Sequence, residues 1–202
     1  MAVAGVGRVE QRPRYPGLDP GMMGMYIFLA SEVMFFGSMF AMYFYLFGSH
    51  PFNWPPSNTV PVNWWPIPFF NTIILLSSGV TCHFALDAVA HDNRRIFLTL
   101  LIATIVLGVL FEAGQAWEFT HAHIKFSGLN QFGSAFFTMT GFHGAHVAGG
   151  LIFLTLMLGR GLKGQFNARH HVGFAAATLY WHFVDVVWIF LFGILYLAVT
   201  AV

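Results

Sequence analysis

Ionisable side chains sit inside apolar runs at several points of this 202-residue chain. Glu32 lies in Ser31-Glu32-Val33, about ten residues into the first run and so about 15 Å deep if the run is a helix. His143 and His146 lie in Phe142-His143-Gly144-Ala145-His146. His182 and Asp185 lie in Tyr180-Trp181-His182-Phe183-Val184-Asp185-Val186-Val187-Trp188. Each run is long enough to cross a bilayer, which takes about 20 residues. An ionisable group at that depth costs about 3 kcal/mol or more unless protein or water shelters it. Three chemistries are open to such groups: proton exchange, metal ligation, and hydrogen-bonded clamping of one helix to another.

For Glu32, no Lys or Arg falls at the same depth in any run, so burial favours a neutral, protonated carboxyl near neutral pH. Two readings stay open. One is a proton-exchanging group beside an internal proton path. The other is an acid hydrogen-bonded to a hydroxyl or a backbone carbonyl, serving packing. His143 and His146, three apart on a helix, share a face, as do His182 and Asp185. All four fall near mid-membrane, where they can meet as one cluster. A haem or metal site is the sharper reading of that cluster and a polar clamp the plainer one. The clamp is favoured because Gly141, Gly144, Ala145, Ala148 and Gly149 on the same helix mark close backbone approach, not a cofactor cavity.

Other groups carry weaker signals. Glu112, Gln115 and Glu118 follow one another at three-residue steps, with Glu118 expected at the interface in contact with water and Glu112 deeper. His121 and His123 read as solvated loop residues. His83 and Asp87, four apart, suit a local hydrogen bond. Arg169, His170 and His171 form a basic cluster at the mouth of the last run, suited to lipid phosphates or simply following the charge bias of membrane loops.

The elements that must position these residues follow from composition. The chain is 57% hydrophobic and 8% charged, against about 25% charged in an average soluble domain, so it reads as a polytopic membrane protein. One cysteine, Cys82, excludes disulfides and cysteine metal clusters. The first apolar run is too long for a signal peptide and reads as a retained helix. The pattern predicts an all-α bundle of five transmembrane helices at about 22–47, 69–90, 96–117, 131–158 and 172–200. Residues 1–21 form a polar arm, and residues 22–202 form the membrane domain. Residues 48–68, rich in Pro and Trp and free of charge, lie on the interface. Asn71-Thr72 is the expected cap of the second helix. Eight of the nine Lys and Arg fall on one side, which puts the N-terminus in the cytoplasm and the C-terminus outside. There is no phosphate-cradling glycine loop, no HExxH pair and no nucleophile elbow, and no nucleic-acid signal.

With these residues in hand, the sequence closely resembles subunit III of the haem-copper terminal oxidases. The matching stretches are GMYIFLASEVMFFGSMFAMYFY (24–45), FFNTIILLSSGV (69–80), LGVLFEAGQAWEF (107–119), GSAFFTMTGFHGAHVAGG (133–150) and HHVGFAAATLYWHFVDVVWIFLF (170–192). The resemblance implies a subunit that holds no haem or copper itself. It would pack beside subunit I, the haem-copper subunit that reduces dioxygen to water, and subunit II. Cytochrome c would be the electron donor to the complex, and structural phospholipids would bind among the helices. The resemblance further implies that Glu32 supports proton uptake, and that the membrane is the bacterial inner membrane. Larger members have seven helices around a lipid-filled cleft. This chain resembles the last five, so one wall of that cleft is expected to be missing. The family often has an acid where Ala175 stands and a His-His pair near Leu86-Asp87, which puts lipid contacts carried over to those positions in question. The Ser-Glu-Val form of the first-helix motif points to cytochrome c oxidases over quinol oxidases. The alternatives are a quinol oxidase subunit III, an accessory membrane subunit of nitric oxide reductase and, from another class, a stand-alone proton-coupled transporter. No inverted repeat or broken helix supports the last.

Overall fold

The computed structural model describes residues 19–49, 54–55, 65–121 and 130–198. Five helices, each long and apolar enough to cross a membrane, make up almost all of them: α1 Pro20–Ser49, α2 Ile67–Ala90, α3 Arg94–His121, α4 Gln131–Leu162 and α5 Val172–Phe192. The described residues form no strand. The all-α membrane bundle expected from composition is what the chain adopts. The N-terminal arm up to residue 18, most of the Pro/Trp segment and residues 122–129, including His123, lie outside the described residues.

Local chemistry sets the helix ends. Pro68 lies in the first turn of α2, where a missing N–H costs nothing because the helix has no partner for it there. That lets α2 start at Ile67, ahead of the expected Asn71-Thr72 cap. Both residues are instead inside the helix. The Asn71 amide donates to the Phe111 carbonyl of α3 at 3.0 Å. Asn130 caps α4 by accepting from the Gly133 N–H at 2.9 Å. Between α2 and α3, Asp92 takes a positive φ of 56°, and its carboxylate accepts from the Ala168 N–H at 2.7 Å. Arg94 donates to the Leu162 carbonyl at 2.6 Å, a favourable place for a cation at the C-terminal end of α4. The α2–α3 turn and the α4–α5 loop are thereby tied together at one end of the bundle, which also carries Arg95, Arg160, Lys163 and Arg169.

α2, α3, α4 and α5 form a ring in which each helix packs antiparallel on the next and α5 closes back on α2. α1 lies outside the ring, against α5 and α4. Burial follows this plan: 50% of the apolar window of α5 is buried, against 22% for α1.

Trp181 holds the ring at its centre. Fully buried, it donates its indole N–H to the Ser78 hydroxyl of α2 at 3.0 Å. Its ring fills space left by Gly108 of α3 and Gly150 of α4. A Cβ at those positions would stand 2.9 and 2.8 Å from indole carbons. One side chain of α5 therefore touches α2, α3 and α4, and the two glycines are what let it fit. Seven residues on, Trp188 repeats the device, donating to the Thr72 hydroxyl at 2.9 Å. α5 ends in a π-helical turn, Gly193–Leu197, and Leu195 and Tyr196 within it are fully buried.

Candidate functional site

Glu32 and His146 meet across the seam between α1 and α4. Both lie near the middle of their helices, and a carboxylate oxygen of Glu32 stands 3.0 Å from His146 Nε2. The side chains are 17% and 18% exposed, so the pair is sheltered without being sealed. Phe36 and Phe35 pack on the imidazole, the former edge-on at 5.0 Å. Tyr180 of α5 donates to the His146 carbonyl at 3.0 Å, fixing the backbone behind the ring.

The other ring nitrogen fixes the tautomer. His146 Nδ1 lies 2.7 Å from the Phe142 carbonyl oxygen. A carbonyl can only accept, so Nδ1 carries the proton. The hydrogen bond between Nε2 and the carboxyl therefore holds a single proton. It sits either on Glu32 facing a neutral imidazole or on Nε2 of an imidazolium facing a carboxylate. The pair is neutral overall in both forms. Such a pair suits the low-dielectric depth at which it lies, because neither form leaves a net charge to be solvated. It can also pass a proton internally without moving a helix.

His143, His146, His182 and Asp185 do not meet at one point. His146 faces Glu32. His143 is fully buried between Trp188, stacked at 5.0 Å, and the edge of Phe111 at 6.0 Å. His182 Nδ1 lies 3.6 Å from Asp185, whose carboxylate packs against the Cα of Gly79 on α2. The α2/α5 contact thus uses the His–Asp couple, and α4 is held to α5 by Tyr180, Trp181 and the His143–Trp188 stack. The cause is helix geometry. His143 and His146, three steps of about 100° along the helix, point about 60° apart, enough that one enters the ring while the other reaches α1.

Glu118 is not at a wet interface. It is 6% exposed and lies, with Gln115, beside Tyr196 of the π-helical turn. Glu112 is half-buried, with one carboxylate oxygen against Gly144. Asp87 pairs with His91 at 3.4 Å, while the His83 ring lies 6.1 Å from that of His182. His121 stacks on Trp117 at 4.2 Å. In the α4–α5 loop, the Asn167 side chain accepts from the backbone N–H groups of Arg169 and His170 at 3.0 and 2.9 Å, and His171 Nδ1 lies 3.1 Å from the Asn167 carbonyl. The Arg169 and His170 side chains are left exposed. Among the described residues, no three His, Cys, Asp or Glu side chains are grouped to hold a metal ion.

The sequence alone did not single out His146 as the partner of Glu32. The available signal was depth: both sit midway along antiparallel helices. Which of the two α4 histidines faces α1 depends on helix rotation, and the small residues around both give no preference.

Comparison with known proteins identifies the family. The family model for cytochrome c oxidase subunit III matches residues 16–199. The cytochrome c oxidase subunit 3 of Rhizopus stolonifer is 45% identical over 177 residues, covering 84% of this chain and 61% of that protein. That of Pongo abelii is 42% identical over 180 residues, covering 86% and 67%. That of Paracentrotus lividus is 41% identical over 192 residues, covering 93% and 70%. The chain thus spans roughly two thirds of the length of these relatives. It belongs to the cytochrome c oxidase subunit III family.

Proposed function

We propose that this chain is the non-redox third subunit of a proton-pumping cytochrome c oxidase, and that the Glu32–His146 pair supports proton supply to the catalytic subunit. The haem and copper would reside in subunits I and II, with cytochrome c delivering electrons to the complex. The chain would lie in a bacterial cytoplasmic membrane with its N-terminus inside, as the charge distribution favours. Exposed Arg169 and His170, with His171 beside them, would meet phospholipid headgroups. That the relatives are cytochrome c oxidase subunits favours cytochrome c over quinol as the donor.

The observation that carries the proton role is the single-proton hydrogen bond between Glu32 and His146. A proton arriving at the pair gives a carboxylic acid facing an imidazolium, and its departure restores the neutral pair. The Phe142 carbonyl holds Nδ1 throughout and the Nε2–carboxyl bond keeps its one proton, so the added proton is taken up and released at the other Glu32 oxygen. General acid–base groups of this kind contribute about 10²–10⁴-fold where they act in the rate-determining step. An accessory site feeding a separate catalytic subunit should matter less, and most when protons are scarce.

The test is oxidase carrying Glu32→Gln, purified with its haem-bearing partner. Glutamine keeps the shape and a hydrogen bond but exchanges no proton. Assembly should be normal, while proton uptake slows or catalytic lifetime shortens as pH rises. Equal turnover and lifetime across the pH range would reject the proton role.

A further inference from the structure

α1 is the least buried of the five helices, and its inward face is a narrow stripe. Its buried residues are Leu29, Phe36 and Tyr43, at seven-residue spacing. Glu32 falls on the same stripe, three residues after Leu29 and four before Phe36. Most of what α1 offers its neighbours is aromatic: Phe28 meets Tyr180, Phe36 meets Phe183, and Phe40 meets Phe190. Ring pairs are satisfied over a wide range of centroid distances, about 4.5–7 Å. They hold helices together without fixing rotation or height. Hydrogen bonds are more demanding of distance and angle, and α1 reaches other helices through two hydrogen-bonding side chains, Glu32 and Tyr43.

The tie at Tyr43 is a relay with one possible direction. The Trp54 indole N–H, which can only donate, lies 3.2 Å from the Tyr43 hydroxyl. That hydroxyl therefore accepts from Trp54, and its own proton goes to the Ile194 carbonyl, in a longer bond of 3.4 Å. Trp54 is buried, with its ring edge-on to Tyr43 and to Phe132 of α4, both at 5.7 Å. The acceptor is supplied by the π-helical turn. An α-helical ladder would send the Ala198 N–H four residues back, to the Ile194 carbonyl. In the turn it goes five back, to Gly193. The carbonyl released from that bond is the one to which Tyr43 donates.

We infer that Tyr43 is a positioning residue for the Glu32–His146 pair: held by Trp54 and by the Ile194 carbonyl of the π-helical turn, it sets the rotation and height of α1 so that the Glu32 carboxyl meets His146. Glu32 and Tyr43 are eleven residues apart, which places them within about 20° of one face and about 16 Å apart along the helix. Two hydrogen-bonded points so far apart on one stripe define how α1 lies on α4 and α5, where rings alone would let it turn or slide. The consequence for proton supply rests on the role proposed above for the pair. The positioning itself does not.

The experiment uses the whole oxidase carrying Tyr43→Phe, which keeps the ring and removes only the hydroxyl. The readout is the infrared band of the Glu32 carboxyl, isolated by subtracting the same enzyme with Glu32→Gln. The band should move from its native position toward the one it takes in His146→Phe. A band unchanged by Tyr43→Phe overturns the inference. Proton uptake is the second readout. Tyr43→Phe should slow it, and should slow it no further once Glu32→Gln is present, because both act through one pair. A slowing that persists undiminished in Glu32→Gln places the effect of Tyr43 elsewhere and also overturns the inference. A shifted band with uptake untouched by Glu32→Gln instead rejects the proton role and leaves the positioning standing. Should Tyr43→Phe fail to assemble, Trp54→Phe, which removes the donor that orients the hydroxyl, takes its place. Its Glu32 band should shift the same way, and a native band there overturns the relay.

Discussion

Two polar devices hold this bundle, and they differ in what they can release. At the centre, Trp181 and Trp188 donate indole N–H groups to the Ser78 and Thr72 hydroxyls. An indole N–H does not titrate, and both rings are fully buried. At the periphery, Glu32 and His146 join α1 to α4 through a bond in which either partner can hold the proton. That pair is about a sixth exposed, on the helix least buried in the bundle. The contrast separates fixing from exchanging. Permanent donors occupy positions where four helices converge and nothing can enter. The Glu32–His146 hydrogen bond, proposed above as the proton-exchanging site, lies instead at a partly exposed seam between α1 and α4.

Breaking the central device should cost most. Trp181→Ala removes a fully buried indole from between Ser78, Gly108 and Gly150, a change that typically costs about 3–5 kcal/mol. The expected outcome is loss of the chain from the membrane-inserted, protease-resistant pool. Near-normal protease resistance would show that the glycine-lined pocket can collapse around the deletion.

The His182–Asp185 couple is intermediate between the two devices, ionisable yet used for packing. Asp185→Ala should weaken assembly by about 1–3 kcal/mol, since it strips the partner from His182 and leaves space beside Gly79. The check is the yield of complex per inserted chain. Normal yield would mean that His182 is held by another group. A smaller change is expected at the exposed loop. Arg169→Gln should alter only the amount of retained anionic phospholipid, by roughly 1 kcal/mol per removed charge, measured by lipid analysis of the purified complex. An unchanged lipid content would remove Arg169 from the headgroup contacts.

Much of this architecture was legible in the residue pattern, because a run of about 20 apolar residues has few alternatives to a membrane helix. Asp185, an acid inside an apolar run, was likewise legible as a group that needs shelter, and it is buried. What escaped depended on rotation and register between helices. Grouping His143, His146, His182 and Asp185 at one level was sound in depth but could not separate the face of α4 that enters the ring from the face that meets α1. Glu118 read as interfacial because it stands near a helix end. In the fold it is buried beside Tyr196 of the π-helical turn Gly193–Leu197. Asn71 and Thr72 read as a cap by residue type, yet both serve as cross-helix hydrogen-bonding partners.

The most direct test of the shared proton is the infrared carboxyl signature of Glu32, isolated as the difference between native oxidase and Glu32→Gln, then repeated in a His146→Phe background. If the pair holds one proton, removing the imidazole must change the Glu32 band. A carboxylate would become a protonated acid, or a hydrogen-bonded acid would lose its acceptor and its C=O stretch would move. A Glu32 band identical with and without the His146 imidazole would contradict the account.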